Sequence, residues 1–254
     1  GAVFYRKKAE FRKMAERRRK MAASHKEQRG FFMNDANKGC RIKICGLSRF
    51  SDILAVNQAG PDYIGFVFAK SSRQVSADKA RQLKSELDTQ IKAVGVFVNA
   101  PLEEILYLTG QGNGREPVID MIQLHGDEDS SYIRKLKDHT DLPVIKALRV
   151  RDTEQILRAQ ELPCEYLLLD TYTANAYGGA GAGFDWSMIP ELTKPFFLAG
   201  GISTDNLVQA ASCQPYCIDV SSGAETQGRK DRMRIAQLVA MVRTINEYNE
   251  CKGA

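Results

Sequence analysis

Residues 195–223 read PFFLAGGISTDNLVQAASCQPYCIDVSSG and contain one complete strand–helix–strand pattern. Two short apolar runs, Pro195–Ala199 and Cys217–Val220, lie on either side of a helical pattern at residues 203–211. Strands that alternate with helices in this way indicate βαβ units and a parallel sheet. Glycine follows each apolar run within three residues, so the pattern also marks two loops whose backbone can approach a ligand closely.

The same alternation extends back to residue 40. Six further strands are predicted at Arg41–Cys45, Asp62–Phe68, Ile91–Val98, Ile119–Leu124, Pro143–Leu148 and Tyr166–Asp170. Further helical patterns lie near residues 50–58, 76–87, 101–109, 128–138, 152–160 and 231–249, with a short helix near 185–189. Eight such units favour a single (β/α)8 TIM barrel of the α/β class. The alternative is a doubly wound sheet, which would need fewer units or a GxGxxG motif after its first strand.

Composition excludes several classes of protein. The 254 residues are 43% hydrophobic and 26% charged, as in an ordinary globular protein. No apolar run approaches the roughly 18 residues of a membrane span, and the N-terminus lacks the apolar core of a secretory signal. The six cysteines form no CxxC pair, and no His, Cys, Asp or Glu set has metal-site spacing. We therefore expect a cytoplasmic protein with reduced thiols and no metal.

Positive charge is concentrated at the N-terminus. Residues 1–29 contain eleven Lys or Arg and three Glu, a net charge of +8, whereas the rest of the chain carries −3. Residues 4–28 lack Gly and Pro and favour a helix. We therefore divide the chain into a basic, helical extension or linker at 1–39 and a barrel domain at 40–254. We interpret the extension as a solvated or poorly ordered segment, with a nucleic-acid arm, a membrane-surface arm or a subunit-docking helix as alternatives. The mildly acidic body predicts no nucleic-acid binding.

Glycines and serines follow the last two strands. Gly200 and Gly201 precede the helical pattern that begins near Ser203, and Ser222 and Gly223 follow strand eight. Backbone N–H groups beside glycine can approach an anion, and a helix N-terminus favours negative charge. The loops after strands seven and eight are the recurrent phosphate site of such barrels. A phosphate site is therefore predicted here, against the alternative of two plain turns.

Titratable side chains stand at other strand ends. Cys45 ends strand one, as a candidate base or nucleophile or as a core residue, and Lys43 shares its face. Lys43 can lower the pKa of that thiol or form a structural ion pair inside the barrel. Asp170 ends a very apolar strand, which can raise its pKa and make it a general acid, or it caps a loop. Arg73 can bind a carboxylate through two parallel hydrogen bonds or be solvated. His125 can donate a hydrogen bond in the site or be structural.

Together these residues carry a resemblance to a known family. The chain resembles the phosphoribosylanthranilate isomerases from about residue 41 to residue 245, but not in residues 1–39. The motifs that carry the resemblance are Lys43-Ile-Cys-Gly46, Gly65-Phe-Val-Phe-Ala-Lys-Ser-Ser-Arg73, Gln123-Leu-His-Gly126, Leu168-Leu-Asp170, Gly178-Gly-Ala-Gly181 with Phe184-Asp-Trp186, Leu198-Ala-Gly-Gly-Ile202 and Asp219-Val-Ser-Ser-Gly223. They occur in the family's order and fall at the predicted strand ends.

The resemblance implies an isomerase of tryptophan biosynthesis that uses no cofactor. Its small-molecule substrate would be N-(5'-phosphoribosyl)anthranilate, converted by an Amadori rearrangement to 1-(2-carboxyphenylamino)-1-deoxyribulose 5-phosphate. Cys45 matches the family's general base and Asp170 its general acid. The positions that match substrate-binding residues are Arg73 for the anthranilate carboxylate, Gly179, Gly200, Gly201, Ser222 and Gly223 for the phosphate, and His125 and Asp219 near the site.

The resemblance is not complete, and other interpretations stay open. Ala180 stands where the family loop usually has Thr, which removes a hydroxyl that could contact the substrate, and residues 171–177 are long, so closure of that loop is expected to differ. The rival enzyme is the histidine-pathway isomerase. A resemblance to that family would imply two aspartates as acid and base, whereas this chain has Cys45 at the end of strand one. A non-catalytic module recruited through its basic arm is the alternative from another class. In some organisms this isomerase is fused behind indole-glycerol-phosphate synthase, so residues 1–39 could join the chain to another tryptophan-pathway enzyme.

Overall fold

The computed structural model describes residues 39–110, 116–171 and 185–253. Eight parallel strands form a closed barrel, in which each strand pairs with the next and the eighth pairs with the first. They are β1 (Arg41–Cys45), β2 (Tyr63–Val67), β3 (Lys92–Phe97), β4 (Met121–Leu124), β5 (Val144–Arg149), β6 (Tyr166–Asp170), β7 (Phe196–Ala199) and β8 (Cys217–Val220). The predicted (β/α)8 barrel is confirmed. The predicted extension lies outside these ranges except for Gly39, so its separation from the barrel stays a prediction.

Helices connect the strands along most of the described chain. They are α1 (Phe50–Ala59), α2 (Ala77–Ser85), α3 (Leu102–Leu108), α4 (Ser130–Lys137), α5 (Thr153–Ala159), α6 (Leu207–Ser212) and α7 (Arg232–Gly253), with 3-10 helices at Trp186–Met188 and Ser222–Ala224. Aspartates cap the N-termini of α4 and α5. Asp129 accepts a hydrogen bond from the N–H of Tyr132 at 2.8 Å, and Asp152 accepts one from the N–H of Gln155 at 2.7 Å. Such a cap contributes about 1 kcal/mol. Within the described ranges, no helix is both long and apolar enough to cross a membrane.

The helix before β8 and the segment after β8 differ from the prediction. Helix α6 begins at Leu207 instead of near residue 203, because Ser203 and Asn206 form a turn first: the N–H of Ser203 donates to the Asn206 side chain at 2.9 Å. A small antiparallel hairpin, β9 (Glu225–Thr226) and β10 (Arg229–Lys230), follows β8. Strands of two residues leave no periodic pattern in a sequence, so the hairpin was not predicted.

The alternation of side chains along β1 separates the core from the site. Ile42 and Ile44 are fully buried in the apolar core that the helices cover. Lys43 and Cys45 point to the opposite face, where Lys43 contacts residues of β4 and β8. Cys45 lies at the same level as Gly65 on the neighbouring strand β2. The chain therefore places polar side chains on the inner face of a barrel whose outer face is apolar.

Aromatic rings fill the barrel at the end where the strands begin. The ring of Phe197 lies 5.7 Å from the rings of both Tyr63 and Tyr166, centroid to centroid. Tyr216 packs against the same rings, and its hydroxyl lies 2.8 Å from that of Tyr63. The guanidinium of Arg41 stands over the Tyr216 ring at 4.3 Å. Each aromatic pair contributes about 0.5–1.5 kcal/mol beyond its burial, and the cluster closes this end of the barrel.

Candidate active site

A cavity of about 430 Å3 opens at the other end, where the strands finish. Its apolar wall includes Val67, Val96 and Ile202. The predicted site residues that line it are Cys45, Arg73, His125, Asp170, Gly200, Gly201, Asp219 and Ser222. Gly223 is not among the lining residues, and Gly179 lies outside the described residues. The cavity thus brings together residues from seven of the eight strands and the loops that follow them, and this end is where barrels of this kind carry their chemistry.

Cys45 is a buried thiol beside a buried ammonium. Its Sγ lies 3.5 Å from Nζ of Lys43. Burial raises the pKa of the Cys45 thiol, and the positive charge of Lys43 acts in the opposite direction. Lys43 therefore lies where its charge lowers the pKa of this thiol, but burial outweighs that effect and the pKa lies above its ordinary value.

Lys43 is fully buried and paired. Its Nζ donates to Asp219 Oδ2 at 2.9 Å and to Gln123 Oε1 at 2.6 Å. Burial alone would lower the pKa of Lys43, but the carboxylate of Asp219 raises it above the ordinary value. The ammonium therefore stays charged inside the barrel. Asp219 Oδ1 is buried and has no hydrogen-bond partner among the described residues, so this oxygen is an acceptor available to a ligand in the cavity.

Asp170 faces the cavity from the end of β6. A quarter of its side chain is exposed, and its Oδ2 lies 3.3 Å from Nε2 of His125. On the other side of the ring, His125 Nδ1 lies 2.9 Å from Nε2 of Gln123. The side chains of Lys43, Gln123, His125 and Asp170 therefore form a continuous line of polar contacts across the barrel.

Gln123 is a site residue that sequence reasoning missed. Its side chain is 1% exposed, lines the cavity and contacts both Lys43 and His125. The available signal was a polar residue inside the apolar strand β4, two positions before His125 and hence on the same face.

Arg73 is held by the unpredicted hairpin. Its Nε and Nη2 donate to the two oxygens of Glu225 at 2.6 and 2.7 Å, and Lys230 donates to the same carboxylate at 2.5 Å. Burial would raise the pKa of Glu225, but the hydrogen bonds from Arg73 and Lys230 lower it to about 2. The paired contact predicted for Arg73 is therefore made with Glu225, and the outer nitrogen Nη1 makes no hydrogen bond with a described residue.

The loops after β7 and β8 approach each other closely. Gly200 and Gly201 have φ angles of 99° and 68°, a left-handed conformation that favours glycine. A Cβ on Gly223 would collide with the carbonyl oxygen of Ile202, so this position also requires glycine. The predicted helix start near residue 203 is wrong, and a 3-10 helix that begins at Ser222 lies beside the cavity instead. In the described part of the chain, no group of His, Cys, Asp or Glu side chains could hold a metal ion.

Comparisons with known proteins agree on one family. A family model described as N-(5'-phosphoribosyl)anthranilate (PRA) isomerase matches residues 42–241. Among curated relatives, the N-(5'-phosphoribosyl)anthranilate isomerase of Endomicrobium trichonymphae is 44% identical over 206 residues, which cover 81% of this chain and 99% of the relative. That of Thermoanaerobacter sp. (strain X514) is 43% identical over 208 residues, which cover 81% of this chain and 98% of the relative.

Solved structures give the same result. The phosphoribosyl anthranilate isomerase of Thermotoga maritima superimposes with a TM-score of 0.67 at 35% identity, covering 81% of this chain and 99% of that chain. A second phosphoribosyl anthranilate isomerase was solved in complex with reduced 1-(o-carboxyphenylamino)-1-deoxyribulose 5-phosphate. It superimposes with a TM-score of 0.66 at 31% identity, with the same coverage of both chains.

Proposed function

The chain belongs to the N-(5'-phosphoribosyl)anthranilate isomerase family of tryptophan biosynthesis, and from this membership we propose that Asp170 is the general acid and Cys45 the general base of its rearrangement. The substrate is an aminoaldose, N-(5'-phosphoribosyl)anthranilate, and the product is the aminoketose 1-(2-carboxyphenylamino)-1-deoxyribulose 5-phosphate. The observation that carries the proposal is that Cys45 and Asp170 line one cavity, at the ends of β1 and β6.

The first step opens the sugar ring. Asp170 gives its proton to the ring oxygen, the bond between that oxygen and C1 breaks, and the nitrogen of the substrate becomes part of a cationic Schiff base. The carboxylate that remains on Asp170 faces Nε2 of His125 at the 3.3 Å separation described above, where a protonated Nε2 can donate a hydrogen bond to it. A hydrogen bond to the charged form favours that form, so His125 supports the transfer.

The second step moves a proton from carbon to Cys45. The thiolate removes the proton from C2, the electron pair flows to the positive nitrogen, and the resulting enolamine tautomerises to the ketone. Both Lys43, 3.5 Å from the sulfur, and the cationic Schiff base itself favour the thiolate over the thiol. The positive charge of the substrate therefore acts against the burial that otherwise raises the pKa of Cys45.

The ends of the substrate carry negative charge, and the cavity offers a partner for each. We assign the anthranilate carboxylate to Arg73, whose Nη1 lies away from its two bonds to Glu225. We assign the phosphate to the backbone of the loops that contain Gly200, Gly201, Ser222 and Gly223. Gly179 is outside the described residues, so its contribution to the phosphate site stays a prediction.

One of the sugar hydroxyls is expected to reach Asp219. Its Oδ1 is buried without a partner among the described residues, although Asp219 lines the cavity. A buried acceptor gains most from a donor that a ligand supplies, because leaving it unpaired is costly. Asp219 therefore has two roles, a charge partner for Lys43 and an acceptor for the ribose.

The test follows the fluorescence of freshly generated phosphoribosylanthranilate as it disappears. Cys45→Ala and Asp170→Asn should each remove most of the rate. Cys213→Ala and Asp138→Asn make the same chemical changes outside the cavity and should keep the wild-type rate. Wild-type turnover by either site variant would overturn that assignment. Turnover of the histidine-pathway aminoaldose alone by the wild-type protein would overturn the substrate.

Two statements about the setting of the enzyme remain proposals. We place it in the cytoplasm, where the thiol of Cys45 stays reduced. We also propose that residues 1–39 link it to another tryptophan-pathway enzyme, and comparison of the full chain with a variant that lacks these residues in a pull-down against indole-glycerol-phosphate synthase tests this.

A further inference from the structure

We propose that Gln123 is a positioning residue that fixes the tautomer of His125, so that the ring presents a proton on Nε2 to Asp170. The proposal rests on the role proposed for Asp170 as the general acid. It assigns a purpose to a buried amide that contacts neither the sulfur of Cys45 nor the carboxylate of Asp170 among the described hydrogen bonds.

The argument starts from Lys43, because an ammonium can only donate hydrogen bonds. Its Nζ lies 2.6 Å from the Gln123 side chain, so the atom of Gln123 at that position is the carbonyl oxygen. A flipped amide would place N–H groups against the ammonium, with donors facing donors. Gln123 is 1% exposed and Lys43 is fully buried, so water cannot compensate for that arrangement.

The orientation of the amide decides which nitrogen of His125 has no proton. With Oε1 turned to Lys43, the NH2 group of Gln123 faces His125 Nδ1 at 2.9 Å. An amide NH2 can only donate, so Nδ1 must accept, and an accepting ring nitrogen carries no proton. The ring proton therefore resides on Nε2, which faces Asp170 Oδ2 at 3.3 Å.

This tautomer matters for the acid step. In the opposite tautomer, Nε2 would turn a lone pair towards Asp170 and could accept the proton that Asp170 has to deliver to the sugar ring oxygen. With the proton on Nε2, the ring can only donate to Asp170, so it stabilises the carboxylate left after the transfer and does not compete for the proton. The charge of Lys43 thus controls the direction of a hydrogen bond two side chains away.

The proposal is tested by NMR on the full chain labelled with 15N-histidine. Long-range correlations between ring carbon-bound protons and ring nitrogens distinguish a protonated from an unprotonated nitrogen. The chain has three histidines, and a His125→Gln variant identifies the signals of His125. We expect the wild-type protein to show an unprotonated Nδ1 and a protonated Nε2. A proton on Nδ1 in the wild type would overturn the proposal.

Two substitutions of Gln123 should change the signals in different ways. Gln123→Met keeps the length but loses the hydrogen bonds, so we expect mixed tautomers and a fall in kcat of several fold with little change in KM. Gln123→Glu can accept from Lys43 but cannot donate to Nδ1, so we expect the proton to appear on Nδ1. Gln209→Met, on the exposed face of α6, is the matched control and should leave both His125 and kcat unchanged.

The outcomes separate this inference from the proposed function. If both Gln123 variants keep an unprotonated Nδ1 and full kcat, the positioning role is wrong. Wild-type turnover by Asp170→Asn would instead remove the acid, a result that depends on rates alone. The tautomer is measured in spectra of the wild-type protein. The proposal can therefore be refuted even if a Gln123 variant fails to fold.

Discussion

Gly65→Ala should disable the enzyme through a single methyl group. Gly65 on β2 lies at the same level as Cys45 on β1, and a Cβ built there would be 2.6 Å from Sγ of Cys45. Ordinary contacts between non-bonded heavy atoms are about 3.5–4.0 Å. The sulfur must therefore retreat by about 1 Å, in a place where Nζ of Lys43 lies 3.5 Å away.

Two magnitudes follow from this displacement. Forcing an extra methyl into a well-packed interior costs about 1–3 kcal/mol of the free energy of unfolding. Misplacing a reacting atom by about 1 Å can cost about 100-fold in rate. We therefore expect Gly65→Ala to lose about two orders of magnitude in kcat under conditions where it remains folded.

The assay is a double-mutant cycle with Cys45→Ala, measured by urea unfolding. Removing the sulfur removes the closest contact, so Gly65→Ala should cost less in the Cys45→Ala background than in the wild type. The difference, the coupling energy, should fall in the range of about 0.5–3 kcal/mol that contacting residues show. Some cost should remain, because the new Cβ would also lie 3.1 Å from Cα of Cys45.

Gly95→Ala is the matched control on the next strand. Its Cβ would meet Phe97 at 2.8 Å and Ile119 at 3.0 Å, both in the core outside the cavity. It should also lower stability, but by the same amount in both backgrounds and with kcat preserved. Equal costs for Gly65→Ala in both backgrounds, or wild-type kcat for Gly65→Ala, would refute the steric argument.

Three further perturbations address the charges around the cavity. Lys43→Met leaves the Asp219 carboxylate buried without its partner and should cost about 3–5 kcal/mol in urea unfolding, while Lys43→Met with Asp219→Leu should recover most of that loss. Glu225→Gln weakens the hold on Arg73 and should raise KM for phosphoribosylanthranilate more than it lowers kcat, so an unchanged KM in steady-state kinetics would count against the clamp. The pKa of Glu225 is lowered from 4.5 to about 2, so its contribution to stability is complete above pH 4.5 and is lost as the pH falls towards 2. The free energy of unfolding should therefore depend less on pH across this window in Glu225→Gln than in the wild type.

The sequence predicted the barrel because its strands are short, largely apolar runs that alternate with helical patterns. The bounds of β1, β6 and β8 agree with the prediction to the residue. The predicted start of α6 was wrong because Ser203 is a residue type that often caps a helix, but here it forms a turn with Asn206. Composition alone cannot distinguish these two uses of a short polar side chain.

Contacts between distant residues account for the parts of the site that the sequence did not predict. Arg73 and Glu225 are 152 residues apart, and Lys43 and Gln123 are 80 residues apart. Position at a strand end identified Arg73, Cys45 and Asp170 as candidates, but it gives no information about which partner each side chain meets. Closure of the barrel decides those pairs, because it brings strands and loops that are far apart in the sequence next to one another.

The aromatic cluster at the end of the barrel where the strands begin has a kinetic consequence. Tyr63, Tyr166, Phe197 and Tyr216 fill that end, so within the described residues substrate and product are expected to pass through the opening where the strands finish, in opposite directions. An occupied opening admits no second molecule. The product should therefore act as a competitive inhibitor. Each new substrate molecule can bind only after the previous product molecule has left, so the turnover rate depends on the rate of product release.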